Sequence, residues 1–117
     1  MVKNIEYLKL FWEHEEKDDP VVILYEVDLD EERYATRLIA IFSDGHTNNI
    51  EDEVFGFVTE MPVPVIEEFN SDYYGEDFNA CLISKEEFEK TWNNGFYEGS
   101  LYVIKNLNNK EKSKIFT

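Results

Sequence analysis

The chain of 117 residues carries 26 Asp and Glu against 11 Lys and Arg, a formal net charge of −15. That length fits one domain and excludes a two-domain enzyme, while 43% hydrophobic and 15% aromatic residues exclude wholesale disorder. A pI near 4.3 excludes a direct grip on nucleic acid or on an anionic membrane, since both would be repelled and phosphate recognition needs a basic footprint.

No stretch approaches the roughly 20 apolar residues of a membrane span. Glu6 stands where the apolar core of a signal peptide would begin. The single cysteine closes no internal disulfide, which fits a reducing compartment, so a soluble cytoplasmic protein is expected.

In chain order, residues 6–14 alternate like a strand, with Leu8, Leu10 and Trp12 on one face and Lys9, Phe11 and Glu13 on the other. The charged connector Glu15-Glu16-Lys17-Asp18-Asp19-Pro20 follows, and its proline cannot continue a central strand. Val21 to Val27 is apolar and β-branched, a strand covered on both faces near its start. Asp28 to Glu32 is a polar turn and Arg33 to Phe42 a third strand. Asp44-Gly45 then supplies a hairpin turn that needs positive φ, leading into a weak fourth strand over 46–50.

Beyond it, Val54 to Val58 reads as a short apolar strand or loop anchor. Ile66 to Phe69 suggests one helical turn, and 72–76 an exposed loop. Phe78 to Ile83 reads as a strand in which Cys81 is buried and inert. Ser84-Lys85-Glu86-Glu87 is a capping box that starts a helix over about 84–93, with Phe88 and Trp92 on one face and Asn94-Gly95 at its end. Leu101 to Ile104 reads as an edge strand or helix start. The expected fold is α+β, an antiparallel sheet backed by the capped helix plus short helical turns. Residues 1–105 form one domain, and 106–117 form a basic polar tail expected to fray.

No motif for catalysis emerges. His14 and His46 lie in neither a His-Glu-x-x-His helix nor a Cys/His zinc spacing, and no calcium-loop pattern appears. No Gly-x-Ser-x-Gly elbow, phosphate-binding loop or dinucleotide fingerprint is present. With 26 acids in the chain, any pair of carboxylates is uninformative. Neither a catalytic residue, a metal nor a cofactor is therefore expected.

Charge and tyrosine carry more. Glu13 to Glu32 holds ten acids against one base, Lys17, whereas residues 101–117 are net +3. Several of the 18 aromatic residues are tyrosines beside carboxylates, a pairing that offers a basic partner both an anchor and charge-assisted hydrogen bonds. Trp12 and Trp92 are assigned to the core. The candidate partner-binding residues are Asp72, Tyr73, Tyr74, Glu76 and Asp77, then Glu15, Glu16, Asp18 and Asp19, then Asp30, Glu31 and Glu32. A hairpin of the first two strands would put the last two groups at opposite ends.

Tyr7-Leu8-Lys9, Trp12, His14, Asp19-Pro20-Val21, Leu24 to Asp28, Arg37, Ile41-Phe42 and Asp44-Gly45 together resemble a small bacterial domain of unknown function. Pro62-Val63-Pro64, Glu67-Glu68-Phe69 and Ile83 to Trp92 extend the resemblance, which covers about residues 5–93. Members of such families recur beside polymorphic and contact-dependent inhibition toxins. The resemblance therefore implies an immunity protein, a monomer or weak homodimer that occludes a cognate toxin, foremost a basic nuclease. The matching positions are mostly apolar, turn or capping residues, so they imply a shared fold more than a shared partner. Two other readings stand beside it: a regulatory interaction protein or nucleic-acid mimic, and a small hydrolase or ligand-binding domain using His14 or His46.

Overall fold

Alternation of side chains along the strands decides the architecture. In a computed structural model, which describes residues 4–51, 62–71, 73, 75 and 77–103, five strands form one antiparallel sheet. They are β1 (Ile5–Trp12), β2 (Val22–Asp28), β3 (Tyr34–Ile41), β4 (Thr47–Glu51) and β5 (Phe78–Leu82), in the order β4-β3-β2-β1-β5. Helix α1 is the single turn Ile66–Phe69, and helix α2 spans Lys85–Asn94. The fold is α+β. Residues 54–58, Asp72, Tyr74, Glu76 and the tail 106–117 lie outside the described residues.

Because side chains alternate across a sheet, the central strands β1, β2 and β3 feed two cores, while β4 and β5 feed one. Leu8, Leu10, Val27, Leu38, Ala40, Ile50 and Ala80 point to one side, where Val63, Ile66 and Phe69 cover them. Val22, Leu24, Ile39 and Ile41 point to the other, under Phe88, Trp92, Tyr97 and Leu101. The helix therefore backs one face only. The short segment around α1 closes the opposite face, and Asn70 ties it to β5 through hydrogen bonds with the Ala80 backbone at 2.7 and 3.0 Å.

A register shift between Glu26 and Val27 leaves Thr36 as an extra residue on β3. This bulge brings the Thr36 hydroxyl 2.6 Å from a Glu26 carboxylate oxygen, which it donates to. At the β3–β4 turn Gly45 has φ +93°, and an added Cβ would stand 2.6 Å from the Phe96 ring. Glycine is required there both by conformation and by the approach of Phe96.

Three local expectations are corrected. Cys81 is exposed on edge strand β5 rather than buried, because an edge strand has a neighbour on one side only. Its surroundings still push the thiol pKa up by partial burial. Leu101 to Val103 forms neither strand nor helix; Leu101 packs instead as an irregular strap on the α2 side of the sheet. In the capping box, Ser84 accepts from the Glu87 N–H at 3.0 Å, but the Glu87 carboxylate turns away to accept the Tyr97 hydroxyl at 2.7 Å.

Candidate functional site

The sheet ends gather its acidic loops unequally. Trp12 closes β1 opposite Phe78 of β5, the Trp12 N–H donates to Val21 O at 2.9 Å, and the Glu13 N–H donates to Asp77 O at 2.9 Å. The connector 13–20 and the loop leading into β5 therefore leave the sheet at one end. Glu15, Glu16 and Asp18 are exposed there and Asp19 half-buried, while Tyr73 and Asp77 of the second loop are also exposed. Asp30, Glu31 and Glu32 sit at the far end of β2, about 20 Å away by strand length. Of the predicted groups, Asp77 thus lies beside the start of the connector that carries Glu15, Glu16, Asp18 and Asp19, whereas Asp30, Glu31 and Glu32 lie apart.

The separated group has local work to do. Asp28, buried at the end of β2, accepts from the Asp30 N–H at 2.9 Å, and the Asp30 carboxylate holds the Asn4 backbone and side-chain amides at 3.2 and 3.1 Å. Asp30 is thereby committed to fastening the start of β1, while Glu31 and Glu32 face solvent.

At the convergent end lies a hollow of about 460 Å³, walled by Phe11, Trp12, Val21, Leu101, Tyr102 and Val103. Glu13, Asp77 and Asn79 supply its polar lining. Trp12 belongs to this wall rather than to the core: it is half-buried, with the Phe78 ring at 6.1 Å and the His14 ring at 4.4 Å. Tyr102 is 60% exposed. Among the described candidate partner-binding residues, only Asp77 lines this hollow. The other lining residues were missed because the wall is assembled from the last residues of β1, the entry to β2 and a strap some 80 residues later. The one local signal was Tyr102 within an otherwise apolar run.

Two cations lie deeper on the α2 side. Arg37 donates from Nε to Glu26 Oε1 at 2.8 Å and from Nη2 to Glu26 Oε2 at 2.6 Å, and its Nη2 also meets Glu89 Oε2 at 2.5 Å. Its guanidinium lies 4.9 and 4.8 Å from the Phe88 and Trp92 ring centres. Lys9, 5% exposed, places Nζ 4.5 and 4.8 Å from the Phe11 and Tyr97 ring centres and donates to Ser100 Oγ at 3.3 Å. Burial lowers its pKa. Lys9 thus fastens the 97–101 strap that forms one side of the hollow.

The histidines are occupied by backbone and neighbours. A carbonyl can only accept, so His14 Nε2 donates to Pro20 O at 2.8 Å, leaving Nδ1 to accept the Glu16 N–H at 3.0 Å. This clips the acidic connector into shape. His46 is exposed, meets Asp44 Oδ1 at 2.5 Å and stacks on Phe42 at 4.6 Å. Neither lines the hollow at the sheet end, nor a second, more open one along α2. In that second hollow Lys90 pairs with Glu98 at 3.0 Å and Glu87 with Tyr97, so several of its polar groups are taken up by one another. Among the described residues, no three His, Cys, Asp or Glu side chains gather as a metal site, and no helix is long and apolar enough to cross a membrane.

A five-stranded sheet covered on both faces, with an aromatic hollow lined by Glu13 and Asp77 at one end, defines a small α+β domain. The chain belongs to a family described as a domain of unknown function, DUF6881, whose model matches residues 6–96. No curated protein and no solved structure matches it.

Proposed function

We propose that this domain is an immunity-type binding protein that neutralises a cognate bacterial toxin, a basic nuclease domain, in the cytoplasm by occluding its substrate groove. The observation that supports this reading is the aromatic hollow at one end of the sheet, lined by Glu13 and Asp77, with the acidic connector that carries Glu15, Glu16, Asp18 and Asp19 running between its lining residues Glu13 and Val21. Such a surface steers a basic partner electrostatically, with association rates up to about 10⁸–10⁹ M⁻¹s⁻¹ at low salt. It then holds the partner through aromatic anchors surrounded by charge. The mechanism is coverage without turnover.

Tagged chain purified from its native cells at low and then high salt tests the reading, with the neighbouring gene products supplied. The expected result is one basic toxin domain held near one-to-one, whose nuclease activity the chain abolishes. Neutralising Glu15, Glu16, Asp18 and Asp19 together should lower the association rate at least tenfold at low salt. Repeated captures that return no such protein, or a captured nuclease that stays active in the complex, would overturn it.

A further inference from the structure

We infer that the hollow at the sheet end receives one arginine side chain of the partner. This rests on the binding reading above and names the partner group that the site selects. Its apolar wall of Val21, Leu101 and Val103 suits the methylene stem, and its aromatic wall of Phe11, Trp12 and Tyr102 suits a planar cation. Because Lys9 already lies over the Phe11 ring, the exposed ring of Tyr102 offers the principal stacking surface. Asp77 and the amide oxygen of Asn79 supply acceptors. Among the described residues the exposed Asp77 carboxylate is in no ion pair.

Other occupants fit less well. An anion would meet Asp77, Glu13 and the surrounding acidic connector. A purely apolar plug would strip water from the carboxylates without replacing it. Between the two basic side chains, guanidinium is flatter, less strongly hydrated and able to engage a carboxylate through two bonds. The fold already uses this grouping once: Arg37 is held by the faces of Phe88 and Trp92 and by the carboxylates of Glu26 and Glu89.

The probe is N-acetyl-L-arginine amide, titrated into the ¹⁵N-labelled full chain, with the uncharged N-acetyl-citrulline amide as its near-isostere. The arginine derivative is expected to shift the Trp12 indole and the Asn79 side-chain amide with Kd of about 1 mM. The citrulline derivative should bind at least tenfold more weakly. Asp77→Asn and Tyr102→Ala, both at exposed positions, should each weaken the arginine derivative at least fivefold while the rest of the spectrum keeps its positions. Equal binding of the two derivatives, no shift at the hollow, or free L-arginine binding tenfold tighter than the blocked amide would each overturn the inference. A toxin captured and neutralised equally well by a chain carrying both Asp77→Asn and Tyr102→Ala would remove the arginine site and leave the immunity reading standing. A clear arginine response with no toxin ever captured would do the reverse.

Discussion

Four donors converge on the Glu26 carboxylate: Arg37 Nε and Nη2, the Thr36 hydroxyl, and the Tyr7 hydroxyl at 2.9 Å. Burial opposes its charge, but the hydrogen bonds from Arg37, Thr36 and Tyr7 outweigh burial and hold its pKa at about 2 against an ordinary 4.5. A carboxyl depressed on folding adds stability above its unfolded pKa and loses it as the pH falls through the folded one. The window is therefore pH 4.5 down to 2. At about 1.4 kcal/mol per unit, the contribution is about 3 kcal/mol at neutral pH. Glu26→Gln should cost that much at pH 7, with the gap to the parent chain narrowing steadily between pH 4.5 and 2 in urea unfolding. A gap that stays constant with pH would show that the lost stability lies in packing rather than in the charge. None of this was legible in the residues: Glu26 and Arg37 are 11 positions apart on separate strands, and only the β2–β3 register, with Thr36 bulged beside it, makes them cross-strand neighbours.

Helix α2 illustrates what element-scale reading captures and where it stops. Its start at Ser84, the Phe88–Trp92 face and its end at Gly95, with φ +73°, were all legible, because capping, helical spacing and left-handed glycine are local chemistry. The destination of the Glu87 carboxylate was not, since the Tyr97 hydroxyl that takes it comes from the strap beyond the helix. Tyr97 responds accordingly: burial first, and then Glu87, push its hydroxyl pKa well up. If Glu87 serves the strap, a double-mutant cycle of Glu87→Ala with Tyr97→Phe should give a coupling of about 1 kcal/mol. The cycle of Glu87→Ala with Ser84→Ala should give less than about 0.5 kcal/mol, because Ser84 accepts from the backbone of residue 87. The reverse order of couplings would restore the reciprocal capping box. Edge placement was hidden in the same way: nothing within Phe78 to Ile83 says that β5 has one neighbour, which is why Cys81 was expected inside.

For the whole molecule, the alternating pattern was enough for an antiparallel α+β sheet, and the β1–β2 hairpin correctly separated the connector at 15–20 from the turn at 28–32. The meeting of Glu13 with Asp77 depended on β5 crossing over to lie beside β1, a non-local choice that strand patterns leave open. The same topology concentrates negative charge on a scaffold with few cations to offset it. Residues 1–100 contain 7 bases against 25 acids, and two of those bases, Lys9 and Arg37, are turned inward among aromatic rings. Self-repulsion among the remaining carboxylates works against the compact state. Salt screens this repulsion more than it screens the Arg37–Glu26–Glu89 cluster, which is largely withdrawn from solvent. Raising NaCl from about 20 to 300 mM shortens the screening length from roughly 20 to 6 Å, so stability should rise by about 1 kcal/mol. In urea unfolding this would appear as a higher midpoint with an unchanged slope. A midpoint that fell with salt would mean that surface ion pairs such as Lys90–Glu98 outweigh the repulsion, and that the acidic charge is better balanced than its count implies.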